Sequence, residues 1–476
     1  MIKTILNNKN IKDSVLYTAG NYFFRISLLV SNLISSRILG PSITGVITYI
    51  NAIDQNINIG YSTIRASLER EIPKLNANNQ TIEAQRFASS SFMLSYLMFI
   101  VGSIFYATYS IITTDYYIRI TCIFFICINF IKALSDLIRV YHKSLYSFTS
   151  ITLTLFIVSL IQPFLVYFVV NKYFYVGFLW TRVFLYGSSV LLLIFLLKKY
   201  PKIIFDFDFQ YFKRLFAVGL PIVIFGLIMT VLVTIDKFYI KHSLGDSMLG
   251  YYSIGALIYQ VLSVFPESMY GSYFPKFITY KGNQEKQINK LSLLIRIIII
   301  PIIILAWICI PPFITLILPK FQSGIFSAKI LIVSIYFSAS YQMYYYEIIR
   351  LNKFRRLLIG SGLVLLFSTG LYTLVMYFFT SIEQYAFANI LVFMFFAFYV
   401  IAIAMKEMGK NNLQILKKLG NEILMIYPLV IVLSVDFFFT YSYKIEIMKI
   451  FLFIVLYLPM FLKHKEELLN FILKKQ

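Results

Sequence analysis

Charge is scarce in this sequence. Asp, Glu, Lys and Arg make up 13% of the 476 residues, and 59% are hydrophobic. A soluble domain runs to about a quarter charged and about half apolar, so the shortage excludes a soluble domain of any size. Cysteine is scarce too: Cys122, Cys127 and Cys309 all fall inside apolar runs. An odd count of thiols in such places argues against a disulfide framework and reads as small core fillers. The three histidines, His142, His242 and His464, are scattered over loops and the C-terminal end. No HExxH, no paired cysteines and no phosphate-cradling glycine loop occur, so the motifs of a metal site, a catalytic centre or an ATPase motor are missing. The N-terminus lacks the short apolar core and small-residue cleavage pattern of a signal peptide.

Long apolar runs are abundant instead. Roughly fourteen stretches are long enough to cross a bilayer as helices: roughly 14–36, 43–64, 88–110, 116–138, 148–170, 173–197, 215–236, 248–275, 291–318, 326–348, 357–379, 382–405, 422–440 and 446–462. The ten-residue polar–apolar alternation of a membrane barrel is absent. The expected fold class is all-α, a polytopic membrane protein. The net charge of +22 raises the question of nucleic acid, but its distribution answers it. With the N-terminus inside, about 30 of the 43 Lys and Arg fall on the cytoplasmic side and well under ten on the other, a strong positive-inside pattern. The basic surplus therefore sets topology, with both termini cytoplasmic. It suits anionic lipid headgroups and gives no sign of nucleic-acid binding.

The two halves of the chain resemble each other. LGPSITG at 39–45 and LGDSMLG at 244–250 share L-G-x-S-x-x-G at an offset of 205 residues. IPK at 72–74 answers FPK at 274–276, and DLIR at 136–139 answers EIIR at 347–350. Three ordered matches at nearly constant offset indicate duplication. Six spans per repeat is an even number, so both repeats enter the membrane in the same direction, as in parallel-repeat transporters. The expected organisation is an N-terminal six-helix lobe at 1–197, a cytoplasmic interfacial linker at 198–214, a C-terminal six-helix lobe at 215–405, and two further membrane helices within 422–462. The linker mixes basic and aromatic residues, the composition of an interfacial segment.

Polar residues inside the spans form stripes. Thr18, Asn21, Arg25, Asn32 and Ser36 share one side of a helix of 3.6-residue period, as do Asn51, Asp54, Asn58, Tyr61 and Arg65 in the second span. Gln260, Ser263, Glu267 and Tyr270 repeat the pattern in the eighth. An ionised group at mid-bilayer costs at least about 2.5–3.5 kcal/mol and faces a bundle interior or a wet cavity. Two readings of Arg25 stay open: a structural ion pair with Asp54, or a cationic patch in an aqueous cleft that receives an anionic ligand. Asp54 and Glu267 are also candidate proton or sodium sites, because membrane carboxylates relay ions. Arg119, Arg182, Asp236 and Lys237 fall near outer span ends, where snorkelling accounts for them. Asp136 with Arg139, and Glu347 with Arg350, read as ion pairs at inner ends.

SRILGPSITGVITYINAI at 36–53 resembles the opening signature of polysaccharide-repeat flippases of the O-antigen (Wzx) type. GLPIVIFGLIMTVLVTIDKFYIKHSLGDSMLGYYSIGALI at 219–258 is similar to that family's seventh and eighth spans, and YFPKF at 273–277 to the close of the eighth. The superfamily also holds multidrug and toxin extrusion antiporters and the peptidoglycan-precursor flippase. The resemblance implies two lobes in a V that alternate access, with cationic residues in a central cavity. It implies an undecaprenyl-pyrophosphate-linked glycan as cargo, surface-polysaccharide biosynthesis as the setting, the cytoplasmic (inner) membrane as the location, H+ or Na+ as a coupling ion, and a glycan polymerase as a partner. No cofactor, catalytic residue or metal ligand is implied. Arg25 and Arg65 become candidate phosphate receptors, with Asn21, Asn32 and Asn58 as candidates for sugar hydroxyls. Arginine offers planar, multidentate donors suited to phosphate. Two competitors remain: an ion-coupled drug antiporter, which calls for an acidic cavity, and a membrane glycan polymerase or ligase, which calls for a large outer loop that this chain lacks.

Overall fold

The computed structural model describes residues 9–144, 148–196, 209–279, 284–351, 353–438 and 443–473. Thirteen α-helices, one 3₁₀ turn and no strand occur among them. In chain order the helices are α1 (Lys9–Ala77), α2 (Thr81–Ile112), α3 (Tyr116–Ser144), α4 (Phe148–Phe195), α5 (Phe209–Leu244), α6 (Asp246–Thr279) and α7 (Gln284–Ile317). The 3₁₀ turn at Pro319–Gly324 follows, then α8 (Ile325–Arg350), α9 (Phe354–Phe378), α10 (Ile382–Glu407), α11 (Asn412–Met425), α12 (Tyr427–Phe438) and α13 (Tyr443–Leu473).

Helix length explains the count. At about 1.5 Å per residue, α1 with 69 residues and α4 with 48 far exceed a hydrocarbon core of about 30 Å. Each therefore carries two crossings, separated by a break in helical geometry at Gly40 (φ 80°) and Phe174 (φ 52°). Gly40 adopts that φ without steric cost, whereas Phe174 is strained there. The Thr44 hydroxyl donates to the Gly40 carbonyl oxygen at 2.7 Å, a back-bond within the first turn after the break. With these two breaks the fourteen expected spans fall on helices. The thirteenth differs from expectation. It is two pieces, α11 and α12, meeting at 41°. The first piece is started by a capping box between Asn411 and Gln414. Among the described residues, nine helices, or ten with that bent pair, are long and apolar enough to cross a membrane. The protein is a polytopic all-α membrane protein.

Packing divides the chain into two compact units, Met1–Ser253 and Ile254–Gln476. In the first, α1 runs along α4 and α5. Its opening half lies on α4 through small and aromatic groups: Phe23 stacks on Phe156 with centroids 5.0 Å apart, and the Ser27 hydroxyl donates to the Ser159 carbonyl oxygen at 2.6 Å. A core of Leu39, Val46, Ile50, Tyr106, Phe125, Val170 and Leu179 joins α1, α2, α3 and α4. In the second unit, two buried ionic clusters tie the C-terminal helices to the rest. Arg296 of α7 pairs with Glu422 of α11, and Lys418 lies 3.4 Å from the same carboxylate. Asp436 of α12 takes Lys329 of α8 at 2.8 Å, the Trp307 indole N–H of α7 at 2.6 Å, and Lys449 of α13. Lys449 also holds Glu446 at 2.7 Å.

The duplicated motif makes a reciprocal contact within the first unit. Gly40 and Gly245 begin the equivalent turns with φ of 80° and 84°. Five residues later in each copy, Gly45 and Gly250 sit over backbone. A methyl on Gly45 would lie 1.9 Å from the Asp246 carbonyl oxygen, and one on Gly250 would lie 1.9 Å from the Pro41 carbonyl oxygen. Pro41 and Asp246 are themselves equivalent at the offset of 205. Each copy thus supplies the glycine and the carbonyl that the other requires, the close backbone approach that small residues permit in membranes. Gly45→Ala and Gly250→Ala are each expected to cost about 1–3 kcal/mol by overpacking. Gly187→Ala, which meets open space, serves as the control. Thermal unfolding in detergent compares the three; equal melting temperatures would refute the contact.

Candidate functional site

The polar stripe of the second span turns inward. Steps of three and four residues put Asn51, Asp54 and Asn58 on one face of α1, and each meets a polar group from another helix of the first unit. Asp54 is buried, 7% exposed. Its Oδ1 accepts from the Tyr106 hydroxyl of α2 at 3.0 Å, and its Oδ2 accepts from Lys132 Nζ of α3 at 2.9 Å. The Asn129 side chain also donates to it. Asn129 Oδ1 in turn accepts from Asn58 Nδ2 at 3.5 Å. Asn51 Oδ1 accepts from the Arg182 guanidinium of α4 at 2.8 Å, and that guanidinium stands 4.7 Å from the centroid of the Phe178 ring. Asn56 Nδ2 donates to the Thr234 hydroxyl of α5 at 2.9 Å. Three helices, α2, α3 and α4, thereby converge on the face of Asn51, Asp54 and Asn58, while Asn56 reaches α5 from the opposite side of α1. The physical reason is the cost of an unpaired ion in a low dielectric.

A cavity of about 240 Å³ opens beside this network. Gln55, Asn58, Lys132, Asp136 and Thr230 supply its polar wall, and Ile59, Ala133 and Leu137 its apolar wall. Lys132 is therefore both a cavity-lining cation and the partner of Asp54. Its side chain is 27% exposed against 10% for Asp54. Lys132 lines the cavity and Asp54 does not. The carboxylate on the wall, Asp136, lies 4.0 Å from Arg139.

The sequence candidates separate on this geometry. Asn58 lines the cavity. Asp54 is ion-paired, and its partner is Lys132 where the sequence suggested Arg25. Arg25 is exposed, and Asn21 and Asn32 are half-buried. At about 100° per residue, these three lie on the side of α1 opposite Phe23 and Ser27, the residues that pack on α4. The side chains of Thr18, Tyr61 and Arg65 lie outside the described residues, as does most of the linker expected at 198–214. Glu267 is exposed on α6 in the second unit, within electrostatic reach of Tyr341 and Tyr346. Its stripe divides: Gln260 is exposed like Glu267, whereas Ser263 is buried and Tyr270, also buried, donates to the Ala339 carbonyl oxygen at 2.7 Å.

Three further expectations are corrected. Arg182 does not snorkel; it is held by Asn51 and two aromatic rings, because a guanidinium stacks and donates at once. Asp236 and Lys237 are buried, with the Tyr252 hydroxyl donating to Asp236 at 2.6 Å and Lys237 Nζ donating to the Val233 carbonyl oxygen at 2.6 Å. Of the cysteines only Cys122 is a core filler; Cys127 and Cys309 are exposed. The Glu347–Arg350 pair forms as expected, at 2.6 Å. Sequence reasoning missed Lys132, together with Arg296, Lys329 and Lys449 of the second unit. Each is a lone cation inside an apolar run, and that alone was a usable signal. Among the described residues no three His, Cys, Asp or Glu are placed to hold a metal ion.

A family profile described as "Polysaccharide biosynthesis protein" matches residues 34–321. The chain belongs to this polysaccharide biosynthesis protein family. A Shigella flexneri protein named "Putative O-antigen transporter" is 30% identical over 101 residues, which span 21% of this chain and 24% of that protein. Two solved structures share the fold. The lipid II flippase MurJ in an inward closed conformation superposes with a TM-score of 0.69 at 13% identity, covering 95% of this chain and 99% of that one. An inward-facing MATE-family multidrug transporter of the MOP superfamily gives 0.65 at 12% identity, covering 80% and 95%. The chain is therefore a polytopic membrane protein of this polysaccharide biosynthesis family, with the fold of the two solved structures.

The asymmetry of exposure gives an expectation for stability. Lys132→Met strands the Asp54 carboxylate in a buried site and is expected to cost about 3–5 kcal/mol. Asp54→Asn leaves an ammonium that can turn to the cavity and is expected to cost much less. Chemical or thermal unfolding in detergent measures the difference; equal losses for the two variants would refute the arrangement.

Proposed function

We propose that this transporter is a flippase. It moves an undecaprenyl-pyrophosphate-linked oligosaccharide, an O-antigen or related surface-polysaccharide repeat unit, across the cytoplasmic membrane by alternating access. The observation that carries the reading is a cation, Lys132, on the wall of a polar cavity inside a membrane-spanning unit. A pyrophosphate crossing a low-dielectric layer needs compensating charge, and ammonium and guanidinium groups supply it. Lys132 and Arg25 are the proposed phosphate contacts, with Arg65 a further one. Asn58, Asn21 and Asn32 are the proposed contacts for sugar hydroxyls, since amides both donate and accept. The polyprenyl chain stays in lipid, so no covalent chemistry is required. The six-helix lobes 1–197 and 215–405 are the proposed moving parts, both termini are proposed to be cytoplasmic, and a glycan polymerase is the proposed downstream partner. The family and the O-antigen transporter relative support the cargo class.

One observation favours a second reading. Asp136 also lines the cavity, and an ion-coupled antiporter would use a carboxylate there to hold an organic cation. Lys132 on the same wall weighs against it. In a strain lacking the gene, lipid-linked repeat units are expected to accumulate on the cytoplasmic face, and the wild-type gene to restore surface glycan. Arg25→Ala, and Lys132→Gln combined with Asp54→Asn so that no buried charge is stranded, are expected to insert normally and to cut surface glycan at least about tenfold, the loss of one charge-assisted contact. Absence of accumulation, together with drug resistance on overexpression, would overturn the flippase reading in favour of the antiporter.

A further inference from the structure

Lys132 has two claims on it. Its ammonium bonds the Asp54 carboxylate at 2.9 Å, and the residue is part of the cavity wall. Asp54 is not on that wall. An anion in the cavity therefore lies beside the residue whose ammonium Asp54 now holds. One ammonium has three donors, but its charge is single. Once it is drawn to a phosphate, the buried carboxylate loses its counter-charge, and an uncompensated ion in such a place is costly. The cheapest remedy is a proton.

We propose that a pyrophosphate diester and Asp54 compete for Lys132, so that binding of the anion is coupled to uptake of one proton by Asp54. This rests on the flippase reading and adds the coupling to it. The accounting is simple. Lys132 stays an ammonium throughout and moves its hydrogen bond from Asp54 Oδ2 to a phosphate oxygen. One proton from water binds the vacated carboxylate oxygen, so the ligand enters with part of its charge neutralised.

The groups around Asp54 suit both protonation states. Tyr106 of α2 donates to Oδ1 and can go on doing so when the acid is neutral. A neutral acid also needs an acceptor for its own O–H. Asn129 of α3 supplies one by turning its amide over, and Asn58, its partner on the far side, can reverse with it. A pair of amides serves either state; two charged groups would not. The other charged and titratable groups facing the pair are Asp136 of α3, and Arg182 and Tyr186 of α4. From α5, the Thr234 hydroxyl bonds Asn56, which points away from Asp54 on the far side of α1. Asp136 stands by Arg139 and Arg182 is held by Asn51, so neither replaces Lys132 as the direct partner of Asp54.

The test uses the full-length protein in lipid nanodiscs. The probe is a pyrophosphate diester bearing a short prenyl chain and one N-acetylhexosamine, whose phosphates do not titrate near neutral pH. Calorimetry in buffers of different ionisation enthalpy counts protons. The wild type is expected to take up about one proton per ligand bound, and its affinity to rise as pH falls, by up to about tenfold per pH unit. Asp54→Asn removes the competitor. It is expected to bind the probe about tenfold more tightly at neutral pH, the worth of one released charge-assisted bond, with no proton uptake. A purely structural ion pair predicts the reverse, weaker binding in Asp54→Asn. Wild-type binding without proton uptake would overturn the competition and leave the flippase reading standing, and that measurement needs no variant to fold. Failure of the wild type to bind the diester, with binding of an organic cation instead, would overturn both.

Discussion

A medium that cannot solvate ions forces a buried charge to find a partner, and the interior of each unit is arranged around that demand. Asp54 draws Tyr106, Asn129 and Lys132 to one face of α1, and Asn51 draws Arg182. These are long-range bonds between helices whose surfaces are otherwise apolar. Apolar packing between membrane helices is weakly selective, because lipid tails are as good a neighbour as leucine. The polar contacts therefore specify which helices meet and in what register. The second unit solves the same problem with Arg296–Glu422 and the Asp436 cluster, which anchor α11, α12 and α13.

Functional chemistry emerges where this rule is met with something left over. In the second unit the cations meet carboxylates within buried clusters. In the first, Lys132 satisfies Asp54 and still presents part of its surface to a cavity. Under the proposed function, a structural ion pair and a binding group are the same residue, and transport asks for no covalent chemistry from it.

Much of the fold was legible because hydropathy is additive along the chain. Runs of apolar residues sum to helices wherever they lie, and the expected stretches fall on helices even where two share one continuous helix, with nine or ten described helices passing the length and hydropathy test. The breaks were half legible. Gly40 announces itself by type, but Phe174 at φ 52° does not, since only its surroundings hold it there. The inward turn of Asn51, Asp54 and Asn58 was legible from period alone. Their partners were not. Tyr106, Lys132 and Arg182 lie 52, 78 and 131 residues from the side chains they bond, and pairing across such distances is set by helix packing. Arg25 shows the same limit from the other side: its face of α1 could be read, its neighbour could not.

A contact in which residue i of one copy meets residue j of the other, and j meets i, is the arrangement of an isologous interface in a twofold dimer. Gly45 over Asp246 and Gly250 over Pro41 reproduce that arrangement inside one chain. In a dimer one substitution alters both halves of such an interface at once. Within one chain each half mutates alone, yet each glycine still answers to a carbonyl of the other motif, so the two motifs are locked as a pair.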